Sequence, residues 1–233
     1  MNIQPLRPGA YAAGGTAASA ASRNRVLRNT YWLLALSMLP TVLGAWLGVA
    51  TGLTRAMTPG VGLVVFLAGS FGFMFAIEKT KNSAAGVPVL LGFTFFMGLM
   101  LSRLVGMVLG LGNGAALVMT AFAGTGLVFL GMATLSSVIK RDLSAMGKWL
   151  FIGAILMLVA GIANVFIQSG ALMITLSVLA VGIFSAFILH DLKRVQDGLE
   201  TNYISATLGV YLSIYNVFQS LLMLLGVFGG RDE

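Results

Sequence analysis

Two polar residues close a long apolar stretch late in the chain. The single histidine, His190, is followed at once by Asp191 in Phe187-Ile188-Leu189-His190-Asp191-Leu192-Lys193-Arg194. A carboxylate can take up a proton or hold a cation, and an imidazole titrates near neutral pH. A second set follows a short polar turn. Ser205, Gly209, Ser213, Asn216 and Ser220 recur at intervals of three or four residues. At 100° per residue they share one helix face, with Tyr211, Tyr215, Phe218 and Leu222 roughly opposite. Oxygens along such a face suit a cation path, because hard cations take oxygen ligands. They equally suit hydrogen bonding between helices. Interhelical bonding is the plainer reading of Ser213 and Asn216, because a calcium site normally draws on more carboxylate than one aspartate supplies.

Each charged residue near this pair has two readings. If its helix runs on to Asp197, Asp191 lies six residues, about 9 Å, inside the helix end. An ionisable group at that depth is costly unless paired or wet. Asp191 is then a proton- or cation-sensing carboxylate, with Lys79, Lys193 or Arg194 as candidate counter-ion, or half of an interfacial pair that anchors the helix. His190 points about 100° away from Asp191 on a helix and is expected to be interfacial rather than a pH sensor. Glu78, beside Lys79 and Lys81, offers a second acid on the same side, although a solvated loop charge accounts for it more simply. Arg103 is the odd charge in an apolar segment. It is expected to snorkel to the outer interface, with an outer-gate role as the alternative. Asp142 and Ser144 precede an apolar segment and are expected to cap it.

The elements that position these residues follow from composition. Of 233 residues, 58% are hydrophobic and 9% charged, with a mean hydropathy of +0.96. A soluble domain of this size has no use for so much apolar surface, so the fold class is an all-α polytopic membrane protein. The absence of cysteine excludes disulfides and thiolate chemistry. With one histidine besides, a zinc or iron site is not expected. No cofactor motif, phosphate loop or nucleophile–base pair is present, so nothing argues for an enzyme. The first apolar run, near Thr30, is long enough to span and lacks a cleavage site, so a removed signal peptide is not expected.

Seven apolar segments lie near 30–53, 60–77, 87–109, 115–139, 148–167, 171–191 and 206–228, each close to the length that crosses about 30 Å of hydrocarbon. The sixth is expected to continue as helix to Asp197-Gly198, with the glycine ending it. Thr201 or Asn202 is then the N-cap of the seventh. A polar stripe is useless against lipid, so the seventh helix belongs inside the bundle. Three domains are expected: a disordered cytoplasmic tail over 1–28, a seven-helix transmembrane domain over 29–229, and a short external tail over 230–233. From Ala10 to Ser22 the tail is nearly all Ala, Gly, Ser and Thr, too little apolar surface to fold alone. Its Arg23, Arg25 and Arg28 suit an anionic membrane surface. Eleven Lys and Arg fall on the side of the N-terminus and the even-numbered connections, against Arg55 and Arg231 on the other. That asymmetry places the N-terminus in the cytoplasm and the C-terminus outside. It makes the net charge of +7 a topology signal rather than a nucleic-acid patch. Gly44, Gly48 and Gly52, like Gly106, Gly110 and Gly114, have the spacing that lets helix backbones approach in lipid.

Three stretches carry a family resemblance. They are Ile139-Lys140-Arg141-Asp142-Leu143-Ser144 leading into Gly147-Lys148-Trp149-Leu150; His190-Asp191-Leu192-Lys193-Arg194; and Glu200-Thr201-Asn202-Tyr203-Ile204 followed by Tyr211-Leu212-Ser213-Ile214-Tyr215-Asn216-Val217-Phe218. In order and spacing the chain, over about residues 25–228, resembles the Bax inhibitor-1 family, in particular its bacterial YccA-like branch. The resemblance implies seven helices with the last surrounded by the other six. Family members are described as pH-sensitive calcium leaks and as regulators of cell death or membrane proteolysis. In the leak branch two aspartates on the sixth and seventh helices share a proton and gate the pore. Asp191 matches the first, whereas the second position holds Ser213, which counts against the paired-carboxylate switch. The YccA-like branch implies a modulator of the FtsH-type membrane protease, engaged through the cytoplasmic tail. The expected partners are therefore membrane lipids, an FtsH-type protease and Ca²⁺ or H⁺, in a bacterial inner membrane. A pH-sensitive cation leak gated by Asp191 is the alternative function.

Overall fold

The structure, a computed structural model, describes residues 9–229, with side chains from residue 20 onward. It contains α1 (Gly9–Thr51), α2 (Pro59–Thr80), α3 (Gly86–Leu109), α4 (Gly114–Val138), α5 (Ser144–Ile167), α6 (Gly170–Gln196) and α7 (Tyr203–Gly229). Seven helices, α1 from Ala20, are long and apolar enough to cross a membrane. No strand occurs among the described residues.

The helix ends follow local chemistry. Thr58 accepts from the Val61 N–H and is followed by Pro59, whose missing donor costs nothing in a first turn. Ser169 Oγ accepts from the Leu172 N–H at the start of α6. Gly198, with φ +77°, ends α6 as expected, and the Leu199 N–H reaches back to the Arg194 carbonyl. Asn202 is the cap of α7, its Oδ1 accepting from the N–H groups of Ile204 and Ser205 at 2.9 and 3.1 Å. At α5 the cap residue is Leu143, and Ser144 is already helical. Asp142 still accepts the Ser144 N–H at 2.8 Å.

The largest departure from expectation is the start of α1. Helix begins at Gly9, so residues 20–28 are not the unfolded tail that composition predicts. Composition argues about an isolated segment, whereas this one continues a helix already nucleated in the apolar run. Alanine-rich sequence then extends it at little cost. Arg23 Nη1 ties this extension to the bundle through the Gln196 carbonyl at 3.3 Å. The ends of both expected tails, residues 1–8 and 230–233, lie outside the described residues.

Helix α7 packs against α1, α2, α3, α4 and α6. It is central, but ringed by five helices rather than six. Helix α5 lies outside, against α6 and one edge of α2. It is the most apolar of the seven and has no buried residue, so the faces it does not pack against α6 and α2 suit lipid. The aromatic face of α7 carries its links to other helices. Tyr211 Oη lies 2.9 Å from Thr41 Oγ1 on α1 and donates to the Thr94 carbonyl on α3 at 3.4 Å. Tyr215 Oη donates to the Met97 carbonyl. Between α1 and α3 the backbones nearly touch. A Cβ at Gly44 would strike the Phe95 carbonyl, one at Gly98 the Thr41 carbonyl, and one at Gly48 the Ser102 side chain. Gly52, the third of its series, instead turns the chain out of α1 at φ +66°.

Candidate functional site

The end of the bundle that holds the N-terminal half of α1 and the α2–α3, α4–α5 and α6–α7 connections gathers most of the predicted residues. Asp191 sits on α6, about a turn and a half before its end. Its Oδ2 lies against the backbone of α7 at Gly209, where a Cβ would come within 2.9 Å. That close approach is possible only because position 209 has no side chain. Its Oδ1 lies 3.2 Å from His190 Nδ1. The helical offset predicts that the two side chains diverge, but a 3.2 Å contact shows that they swing together. His190 is packed inside the protein. It is 8% exposed, and its ring fills the space above Gly147 at the start of α5, where a Cβ would stand 2.5 Å from Nε2.

Asp191 lines a pocket of about 70 Å³ together with Arg194, Glu200, Ser205, Ala206 and Gly209. That is room for a few waters among groups able to bind them. Glu200 is the acid that sequence reasoning misses. It lies in the α6–α7 turn, where its Oε1 also accepts the Asn202 N–H at 2.9 Å. The visible signal is its place in the Glu200-Thr201-Asn202 stretch, within one short connection of Asp191.

The other predicted residues disperse. Glu78, two-thirds exposed, pairs with Lys81 at 2.6 Å and is not in the pocket. Lys79 lies over the Phe75 ring, 5.3 Å from its centroid. Lys193 is held by Asp197 at 2.6 Å. Of the three counter-ion candidates only Arg194 reaches the pocket, and Asp191 forms no ion pair with a lysine or arginine among the described residues. Ser213 and Asn216 bond within α7, to the carbonyls of Gly209 at 3.0 Å and Leu212 at 2.8 Å. The interhelical bonds expected of that stripe come instead from Tyr211, Tyr215 and Thr207 on other faces of α7. No group of three His, Asp or Glu side chains that could hold a metal occurs among the described residues.

Two further contacts shape this end. Asn202 Nδ2 donates to the Lys81 carbonyl at 3.1 Å and to Asn82 Oδ1 at 2.8 Å, fastening the start of α7 to the α2–α3 turn. Gln196 Nε2 donates to Ser136 Oγ on α4. In the α4–α5 connection, the Ser144 hydroxyl and N–H both donate to Asp142, and these bonds hold its carboxyl below the usual carboxylate range. Chemically the site is a carboxylate braced by an imidazole in a small polar pocket. Such an arrangement can bind a proton or a hydrated cation, and it contains no nucleophile poised for covalent chemistry.

Comparison with known proteins places this architecture. The family described as "Inhibitor of apoptosis-promoting Bax1" matches residues 23–230. The "Modulator of FtsH protease YccA" of Escherichia coli K12 is 37% identical over 211 residues, covering 91% of this chain and 93% of the relative. An uncharacterized membrane protein of Vibrio cholerae is 37% identical over 209 residues, covering 90% and 92%. A protein of Campylobacter jejuni is 32% identical over 206 residues, covering 88% and 89%.

Proposed function

The chain belongs to the Bax inhibitor-1 family, and from that membership we propose that it is an inner-membrane modulator of an FtsH-type ATP-dependent protease, a binding protein rather than an enzyme. The observation that carries this is the identity of 37% through nine-tenths of both chains with a relative named for modulating that protease. A match of that length spans most of the bundle. The eleven-to-two distribution of basic residues supports a cytoplasmic N-terminus and an external C-terminus. The pocket, the basic connections and the start of the chain then all face the compartment where an ATP-driven protease works.

The handle of the proposed interaction is the segment preceding Arg23, the first described tie of the N-terminal extension to the rest of the bundle. Residues 2–19 are low in large apolar side chains, and a processive protease engages a chain end that opens without resistance. Deletion of residues 2–19 is expected to abolish co-purification with the protease while the bundle keeps its thermal unfolding transition. Undiminished co-purification by the folded truncation overturns the assignment of the handle.

A second reading, a pH-sensitive cation leak, is favoured by one observation: Asp191 and Glu200 line the same pocket. Two carboxylates at one site can share a proton or a cation, so Glu200 offers the second acid that Ser213 does not supply. The test is Ca²⁺ flux into dye-loaded proteoliposomes at pH 6 and pH 8. Under this reading the pH response disappears in Asp191→Asn and weakens in Glu200→Gln. A full response in Asp191→Asn removes the aspartate from the gate.

A further inference from the structure

A second, larger pocket belongs to neither reading. It lies at the opposite end of the bundle, where α2, α3, α5, α6 and α7 surround a cleft of about 580 Å³. The cleft reaches inward to Tyr215, which stands 14 residues, roughly 21 Å, from the end of α7. It therefore penetrates to about the middle of the membrane-spanning region. Its walls are largely apolar, and Met100, Met107 and Met173 are among them. Methionine is flexible and polarizable, and suits an irregular, adaptable hydrocarbon surface. Beside the cleft, Val61 and Val64 on α2 and Phe166 on α5 are more than half exposed, so the slot opens beside lipid-facing surface.

One cation lines this apolar cleft. Arg103 lies six residues, about 9 Å, before the end of α3. It is partly buried, and it forms no hydrogen bond or ion pair with any described residue. The contrast is Arg55, at the same end of the bundle, whose Nη2 donates to the Gly106 carbonyl. Arg103 lines the cleft together with Met100, Met107 and Tyr215, and with the polar Asn164, Gln168 and Gln219. A guanidinium at this depth is expensive without a partner, and the protein supplies none. Its fork of donors matches a phosphate, and the slot beside it matches hydrocarbon.

We propose that this cleft is a binding site for an anionic phospholipid, with the phosphate on Arg103 and an acyl chain lying between α2 and α5. The apolar volume and the unpaired cation are complementary to the two ends of one amphiphile. A free inorganic anion would leave the slot unfilled, and a neutral lipid would leave Arg103 without net charge compensation.

The test is retention of lipid by the full-length protein. Wild type, Arg103→Gln, Gly62→Phe and Arg194→Gln are equilibrated with vesicles of equal parts phosphatidylglycerol and phosphatidylcholine, extracted in mild detergent, and analysed by native mass spectrometry. Gly62 lines the cleft, and a Cβ there meets nothing within 4 Å, so a phenylalanine at this position starts in open space and is expected to occupy the slot. Wild type and Arg194→Gln are expected to retain one phosphatidylglycerol per chain. Arg103→Gln should retain about tenfold less, in line with the loss of a charge-assisted contact, and Gly62→Phe should lose retention as well. Equal retention of the two lipids by wild type, or no retained lipid, overturns the proposal. So does undiminished phosphatidylglycerol in folded Arg103→Gln. If Arg103→Gln does not fold, Gly62→Phe decides: retention equal to wild type places the lipid elsewhere.

Discussion

Gly98→Ala is the smallest change that separates α1 from α3. A Cβ at this position would overlap the Thr41 carbonyl oxygen, and it would stand 2.8 Å from the carbonyl carbon and 3.0 Å from Cα. All three atoms are backbone, so no rotamer change relieves them. The helices must move apart until these contacts reach the ordinary 3.4 Å or more. Overpacking of this kind costs about 1–3 kcal/mol. The same movement stretches the 2.9 Å contact between Thr41 Oγ1 and Tyr211 Oη, adding about 1 kcal/mol. Against this, alanine gains about 0.5–1 kcal/mol over glycine in a helix interior. The net expectation is destabilisation by about 1–3 kcal/mol. Gly126→Ala, on the lipid-exposed face of α4 where a Cβ meets nothing within 4 Å, keeps the gain without the collision. It is expected to stabilise by about 0.5–1 kcal/mol. Tryptophan fluorescence during thermal unfolding in one detergent should place Gly98→Ala below wild type and Gly126→Ala above it. If the two variants prove equally stable, α1 and α3 do not meet at Thr41 and Gly98 in the way described.

Two further outcomes are expected. Asn202→Ala removes both the cap of α7 and the link to the α2–α3 turn, and should cost about 0.5–2 kcal/mol. Asn202→Asp keeps the acceptor oxygens and loses only the donated bonds, so it should fall between alanine and wild type in the same unfolding assay; equivalence to alanine would remove the cap from the account. Asp142 has its carboxyl held low by Ser144, so its stabilisation is present above the unfolded carboxylate value and is lost as pH falls through the lower folded one. The stability difference between wild type and Asp142→Asn should therefore be constant from pH 7 to about 5 and shrink below about 4. A difference that is flat down to pH 3 contradicts the bonds from Ser144.

The seven helices are legible because a span of lipid demands a run of apolar residues of fixed length, and the chain supplies seven. The junction of α6 and α7 is legible as well, since Gly198 and Asn202 have the chemistry that stops and starts helices. Sequence alone misplaces the beginning of α1, because an alanine-rich stretch that cannot fold alone can still extend a helix already formed. It does not single out Glu200, because topology fixes which side of the membrane a charge occupies and not which neighbour it meets. His190 and Asp191 illustrate a different limit. Their backbone offset is set by helix geometry, while the side-chain torsions that bring them to 3.2 Å respond to Gly147 on α5 and Gly209 on α7. The polar stripe of α7 correctly indicates a helix inside the bundle. Its Ser213 and Asn216 nevertheless satisfy themselves within α7, and the links to other helices lie on the tyrosine face.

The central claim, modulation of an FtsH-type protease, is tested most directly by the rate at which that protease degrades a membrane-protein substrate in vesicles. The rate is measured with and without this protein, and with the form lacking residues 2–19. The account predicts that the full-length protein slows degradation and that the truncated form slows it much less. Degradation at the same rate in all three preparations, with the protein folded and co-inserted, would contradict it.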